Sequence, residues 1–169
     1  GLSSTIAEAE LMTAQYTFLK RVGFVVDGDT PQISFRVSNR LVLEHYLADL
    51  NITGDDFAHT CINIDKRDKI GDEATKKLLI EQGIETQKAQ KILELLSITG
   101  LDELRSFVGE NNPGYDSLVE LMDHAESFGI SNVISIDLSV VRGLSYYTGT
   151  VWELFDTAGS VPRAIAGGG

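Results

Sequence analysis

The sequence has little of several features that mark specialised classes of protein. It contains 1 Cys, Cys61, and 3 Pro in 169 residues, which excludes a disulfide-stapled scaffold and a proline-rich chain. No apolar run reaches the roughly 20 residues that a membrane-spanning helix needs, and no charged segment followed by a hydrophobic stretch marks the amino end. Because Cys61 has no second cysteine to pair with, we predict a reducing, cytoplasmic location.

Positive charge is also scarce, with 14 Lys and Arg against 25 Asp and Glu and a net charge of -11. This balance argues against binding of nucleic acid through the overall field of the protein. In the window 66–91, seven basic residues outnumber five acidic ones. That window is compatible with a solvated helix face that carries both signs of charge, or with a local phosphate contact.

The order of hydrophobic patterns divides the chain into three parts. Residues 1–56 combine helical patterns with one alternating stretch, which indicates the first part of an α+β core. Residues 57–128 contain helical patterns separated by glycines and no clear strand, so we predict an all-helical insertion. Residues 129–169 return to strand patterns and complete the core.

The first helix has recognisable ends in the sequence. Apolar residues recur at helical spacing from Ile6 to Leu19. Thr5, with Glu8 three residues later, predicts a capping box at the amino end. Gly23 predicts the carboxyl end.

Strand patterns follow in four places. Apolar and polar residues alternate over 33–37, and short apolar or aromatic runs occupy 133–136 and 146–155. We expect a hairpin turn at 156–159 and a last short strand at 161–165 that runs into three glycines.

The densest group of unusual residues is the segment VRGLSYYTGTVWE, residues 141–153. The guanidinium of Arg142 offers a planar donor fork for phosphate or carboxylate. Tyr146 and Tyr147 would point to opposite faces of a strand, so that one packs in the core and the other presents its phenol to a pocket. The alternative is an edge strand with a surface ion pair.

Two other features carry weaker signals. The glycine triplet 167–169 is compatible with a backbone floor under a flat ligand or with a flexible tail. His59 and Cys61 lie two residues apart, but a helix would spread them around its circumference, and no second Cys or His pair exists. We therefore predict no metal site.

The segment VRGLSYYTGTVWE, followed by AIAGGG, resembles the paired histidine-binding motifs of histidyl-tRNA synthetase. The segments TIAEAELMTAQYTFLKRVGF and SFRVSNRLVLEHYL resemble the helix after motif 2 of that family and the next strand and helix, and CINIDKRDKIG is similar to the start of its helical insertion. The resemblance implies an α+β fold, with a class II synthetase-like antiparallel sheet flanked by helices. It also implies that the chain covers only the middle of the catalytic domain and stops before motif 3.

The family's activity joins histidine to its tRNA through a histidyl-adenylate, with ATP as a substrate accompanied by Mg²⁺ and with no tightly bound cofactor. By resemblance, Arg142 is the catalytic arginine that contacts the α-phosphate and the histidine carboxylate. Tyr146 and Tyr147 form the histidine pocket, and Gly167 and Gly168 form the wall beside the substrate.

The resemblance also implies partners for the full-length protein, namely histidine, ATP, histidine tRNA and a second subunit in a homodimer. Because the family's insertion approaches the acceptor arm of the tRNA, four lysines of the basic window become candidate tRNA contacts. These are Lys66, Lys69, Lys76 and Lys77.

Two other interpretations of the sequence stay open. The synthetase-like regulatory subunit of ATP phosphoribosyltransferase resembles the same catalytic core and does not aminoacylate tRNA, although Arg142 and both tyrosines favour the synthetase. The second alternative is an isolated helical interaction module. We expect residues 1–169 alone to form no adenylate, because the segments that supply motifs 1, 2 and 3 are missing from them.

Overall fold

The structure is a computed structural model that describes residues 4–141, 146–159, 161 and 163–169. The chain begins with a helix and a strand, helices alone fill its middle, and three strands follow one another at its carboxyl end. The helices are α1 (Thr5–Arg21), α2 (Arg40–Asp49), α3 (Gly54–Ile64), α4 (Arg67–Glu81), α5 (Thr86–Leu96), α6 (Leu101–Val108) and α7 (Pro113–Ser127). The strands are β1 (Ile33–Asn39), β2 (Ile134–Ile136), β3 (Thr150–Asp156) and β4 (Ala166–Gly168).

The four strands form one sheet in the order β2-β1-β3-β4. β1 pairs antiparallel with β3, with Val37 opposite Trp152, and β3 pairs antiparallel with β4. β1 and β2 are parallel, because the helices from α2 to α7 form a long crossover between them. The predicted α+β class is confirmed, with one parallel pair in an otherwise antiparallel sheet.

The two faces of the sheet differ in polarity. Ile33, Phe35 and Val37 alternate along β1 and are completely buried, since they face the layer in which α1 and α7 pack together. The opposite face carries Arg36, whose guanidinium carbon lies 4.2 Å from the ring centre of Phe155. The alternation that predicted a strand at 33–37 therefore also identifies its core face.

The middle of the chain, residues 57–128, contains no strand. α3, α4 and α5 pack in sequence against one another. α7 instead packs against α1 and α2, and the first turn of α7 approaches α2 so closely that a β-carbon at Gly114 would overlap the backbone of Val42. The predicted insertion limits, 57 and 128, remain a prediction.

Three predictions at the ends of elements are wrong. α1 begins at Thr5, but its N-cap residue, Ser4, makes no side-chain capping bond, and Thr5 Oγ1 has no hydrogen-bond partner. Tyr146 and Tyr147 lie before β3, which begins only at Thr150. The last strand consists of Ala166–Gly168 rather than 161–165, because the open edge of β3 accepts a glycine backbone without needing a side-chain pattern.

In the part of the chain that the structure describes, no helix has the length and apolar character needed to cross a membrane.

Candidate functional site

A cavity of about 570 Å³ opens at one end of the sheet. The first turn of α1, the end of β1, one side of α7 and the segment leading into β3 form its walls, and Gly169 closes it after β4. The two tyrosines of the motif, Tyr146 and Tyr147, both line this cavity. The structure thus brings the predicted tyrosine pair to the cavity between the two helices and the sheet.

The two tyrosines have different environments. Their ring centres lie 5.2 Å apart with an interplanar angle of 84°, which is an edge-to-face contact. Tyr146 is 82% exposed, whereas Tyr147 is half-buried and packs against the core. The division into one packed and one presented phenol therefore holds, although it results from a turn and not from opposite faces of a strand.

Two glycines at the carboxyl end each lie against a different aromatic ring. A β-carbon at Gly168 would overlap the indole of Trp152, and a β-carbon at Gly169 would lie 2.8 Å from Cγ and Cδ1 of the Tyr147 ring. Of the triplet, Gly169 is the residue that lines the cavity. The roles of Gly167 and Gly168 beside a substrate remain predictions.

Glu8, which the sequence predicts to be part of a capping box, lines the cavity. Its side chain accepts a hydrogen bond from Thr150, and its buried Oε2 atom has no hydrogen-bond partner. Burial raises the pKa of Glu8. The hydrogen bond from Thr150 lowers this pKa, and the negative charge of Glu120 raises it further. Helical spacing from the fully buried Met12, one turn along α1, is the signal that places Glu8 on the inner face.

Buried hydrogen bonds fix the position of Thr150. Asn39, the last residue of β1, donates from Nδ2 to Thr150 Oγ1 over 3.3 Å. Asn39 Oδ1 in turn accepts from the backbone N–H of Leu41 at 2.9 Å and caps α2. Because Asn39 and Thr150 are almost completely buried, the hydroxyl that contacts Glu8 has a fixed position.

The four candidate tRNA lysines lie on or beside α4, but they do not form one straight row. Gly71 interrupts α4 with φ 78° and ψ 171°, so Lys66 and Lys69 precede the kink and Lys76 and Lys77 follow it. Lys76 donates to Gln90 Oε1 at 2.7 Å, and Lys77 lies 3.7 Å from Glu81. None of these four lysines lines the cavity that holds the tyrosines.

Lys69 lines a smaller cleft of about 180 Å³, together with Arg36 and Phe155. The Nη1 atom of Arg36 lies 3.5 Å from a carboxylate oxygen of Asp68 in α4 and 3.5 Å from a carboxylate oxygen of Asp137. The first turn of α4 is therefore linked to the polar face of the sheet by a shared arginine.

The predicted catalytic arginine, Arg142, lies outside the described residues. The structure describes the chain again from Tyr146.

Comparison with known proteins gives one family for the whole chain. The family described as "Histidyl-tRNA synthetase" matches residues 1–169. The chloroplastic/mitochondrial histidine--tRNA ligase of Arabidopsis thaliana is 41% identical over 169 residues, which cover 100% of this chain and 34% of the relative. The chain thus spans about a third of the length of this relative.

Two solved structures have the same fold. The histidyl-tRNA synthetase of Nostoc sp. PCC 7120 superimposes with a TM-score of 0.85 and 29% identity, over 99% of this chain and 40% of that one. An ATP phosphoribosyltransferase regulatory subunit/histidyl-tRNA synthetase from Bacillus halodurans gives a TM-score of 0.82 at 19% identity, over 100% of this chain and 43% of that one. The second likeness concerns the fold alone, whereas the family match extends from the first residue to the last. The chain belongs to the histidyl-tRNA synthetase family.

Proposed function

We propose that this chain is the central part of a ligase that joins histidine to its tRNA through a histidyl-adenylate, with ATP as a substrate that binds together with Mg²⁺. One observation carries the proposal: in a chain of this family, both motif tyrosines line a single cavity that also holds a half-buried carboxylate. Aromatic surface and a few placed polar groups are what a flat, polar side chain such as imidazole requires.

Each predicted residue has a role in this proposal. Arg142 stabilises charge on the α-phosphate and the histidine carboxylate as the adenylate forms. Tyr147 packs against the ring of histidine, and the exposed phenol of Tyr146 supplies a hydrogen bond. Gly167 and Gly168 form the wall beside the substrate. Polar partners for imidazole matter because buried groups left unpaired reject apolar competitors.

The proposal extends to partners and location. Lys66, Lys69, Lys76 and Lys77 contact the phosphates of histidine tRNA, and the full-length protein acts as a cytoplasmic homodimer. The exposure of Lys66, Lys69 and Lys77 on or beside α4 supports the lysine contacts, as does the family membership, whereas Lys76 is half-buried.

Histidine-dependent exchange between ATP and pyrophosphate tests the proposal in the full-length gene product. We expect exchange that requires histidine and that Arg142→Ala reduces by at least about 100-fold, the usual effect of losing one group that stabilises transition-state charge. Arg163→Ala, which removes an exposed arginine near the carboxyl end of the chain, is the matched control and should retain exchange.

The same experiment separates the synthetase from the regulatory subunit of ATP phosphoribosyltransferase. The regulatory subunit would bind histidine and give no exchange. Binding without exchange in the full-length gene product would therefore replace the present proposal by that second function.

A further inference from the structure

The polar face of the sheet carries an arginine that the surrounding strands hold in place. Arg36 lies in β1, which pairs with β2 on one side and with β3 on the other. Its guanidinium carbon lies 4.2 Å from the ring centre of Phe155 in β3, within the range of a cation–π interaction. Because β1 and β3 are hydrogen-bonded to each other, the backbone and the head group of Arg36 are both fixed.

A carboxylate next to β2 receives this guanidinium. The Nη1 atom of Arg36 lies 3.5 Å from Oδ2 of Asp137, the residue that follows β2. The other oxygen of the carboxylate, Oδ1, accepts hydrogen bonds from the backbone N–H of Ser139, at 3.0 Å, and from the Ser139 hydroxyl. Asp137 therefore closes a tight turn with one oxygen and contacts the polar face of the sheet with the other.

This turn leads into the segment that contains the predicted catalytic arginine. The backbone N–H of Asp137 donates to a carbonyl oxygen of β1 at 2.8 Å, and the backbone N–H of Val140 donates to the carbonyl oxygen of Asp137 at 3.1 Å. Val140 and Val141 are almost completely buried and line the same cleft as Arg36. Since Val141 precedes Arg142 in the sequence, the chain reaches position 142 from a turn that Arg36 and Asp137 tie to the sheet.

A second carboxylate shares the guanidinium and is less well fixed. Asp68 of α4 has an oxygen 3.5 Å from the same Nη1 atom. The Asp68 side chain is 61% exposed, however, whereas that of Asp137 is 21% exposed. Because water and salt screen exposed ion pairs, the contact with Asp137 is the stronger constraint. Asp68 also lies far from the motif segment along the chain, so its loss should leave the turn in place.

We infer that Arg36 is a positioning residue for adenylate formation, which acts on Arg142 through Asp137 and the turn 137–141. The inference rests on the proposed function, because that function gives Arg142 its role at the α-phosphate. A displacement of about 1 Å of a group that takes part in catalysis can cost about 100-fold in rate. Loss of Arg36 should therefore be felt in the rate although Arg36 itself need not touch a substrate.

Kinetics of histidine-dependent exchange in the full-length gene product test the inference. Arg36→Ala should lower kcat by at least about 10-fold, because Arg142 is no longer held in place. The KM values for histidine and ATP should change by less than about 3-fold, since the lost interaction acts in the transition state. Asp137→Asn, which keeps the shape of the side chain but loses its charge, should have the same effect. Asp68→Asn removes a carboxylate at the same distance from the same atom, and as the matched control it should keep the wild-type kcat.

Combination with Arg142→Ala measures whether Arg36 acts through that residue. The double variant with Arg36→Ala and Arg142→Ala should exchange as fast as Arg142→Ala alone, within about 2-fold, because residues that act as a unit have non-additive effects. An arginine with a merely structural role would lower the rate by the same factor in both backgrounds.

Failure of the inference is distinguishable from failure of the proposed function. Absence of histidine-dependent exchange in the wild type would overturn both. Normal exchange in the wild type with an unchanged kcat in Arg36→Ala and Asp137→Asn would overturn the inference alone. An equal loss in Asp68→Asn and Asp137→Asn would overturn it too, as would additive losses in the double variant. If Arg36→Ala does not fold, Asp137→Asn, alone and combined with Arg142→Ala, decides by the same criteria.

Discussion

The indole ring of Trp152 occupies the space into which a side chain at position 168 would project. Trp152 is itself almost completely buried, and its Nε1–H donates to Gln15 Oε1 of α1 at 3.1 Å. The ring is thus held from the helix side while β4 passes beside it. The contact makes glycine at position 168 a packing requirement of the sheet, whatever further role it has beside a substrate.

We therefore expect Gly168→Ala to destabilise the protein by about 1–3 kcal/mol, the usual cost of overpacking a filled site. The indole ring has to move away from its bond to Gln15 or β4 has to separate from β3. Urea unfolding measures the change. Gly149→Ala is the control, since a β-carbon at Gly149 would meet no atom within 4 Å; equal effects of the two substitutions would contradict the packing argument.

Glu8 should lower stability near neutral pH. Burial raises the pKa of Glu8 above 4.5. The hydrogen bond from Thr150 lowers this pKa, and the negative charge of Glu120 raises it. The folded state therefore holds the proton more tightly than the unfolded state, and stability falls as pH rises from about 4.5 through the folded-state pKa.

Glu8→Gln removes this titration. We expect a higher Tm than the wild type at pH 7.5 and a difference that shrinks toward zero near pH 4.5, as measured by thermal unfolding at both pH values. Glu10→Gln should show neither effect. A lower Tm at pH 7.5 would mean that the Glu8 carboxylate is a net stabilising group and has no unmet partner.

The proposed tRNA contact of α4 predicts a change in salt dependence. Lys76→Ala combined with Lys77→Ala should reduce the slope of log K against log salt for tRNA binding by about 2, one for each lost phosphate contact. The measurement is tRNA binding by the full-length gene product at several salt concentrations. Lys20→Ala combined with Arg21→Ala, at the end of α1, removes the same charge elsewhere and serves as the control. If the control lowers the slope equally, the change in salt dependence results from the net charge of the protein and not from a contact of α4 with tRNA.

The sequence predicted elements wherever side chains alternate or repeat. The spacing of Ile33, Phe35 and Val37 predicted β1 and its core face, because burial of one face selects every second residue. The helical patterns of residues 57–128 predicted helices there for the same reason, and α3 and α5 bury their apolar sides. The last strand was predicted at 161–165 and not at its actual position, because a strand made of Ala166–Gly168 has almost no side-chain pattern.

The candidate site was predictable only in part. The motif identified Tyr146 and Tyr147 by their residue types, and both line the cavity. Glu8 was missed because its spacing from Thr5 matches a capping box, which is a local rule. Its actual partner, Thr150, lies far along the chain, and only the pairing of β1 with β3 brings that residue to the end of α1.

Asn112 joins α7 to α2 by two different uses of one amide group. Its Oδ1 atom accepts from the backbone N–H groups of Gly114 and Tyr115 at 3.0 and 3.2 Å and caps α7. Its Nδ2 group donates to the carbonyl oxygen of Val42 in α2 at 3.3 Å. Because Asn112 is 3% exposed, water cannot replace either bond.

Substitutions at this position should separate the two contributions. Asn112→Ala removes both and should cost about 1–3 kcal/mol, from a lost helix cap together with a lost buried hydrogen bond. Asn112→Ser keeps an oxygen that can cap α7 but has no amide donor for Val42, so it should cost about 1 kcal/mol less than alanine. Urea unfolding of both variants measures the difference, with the exposed neighbour Asn111→Ala as control. Equal losses for serine and alanine would mean that the contact with α2, and not the cap, carries the stabilisation, because only the cap distinguishes the two variants.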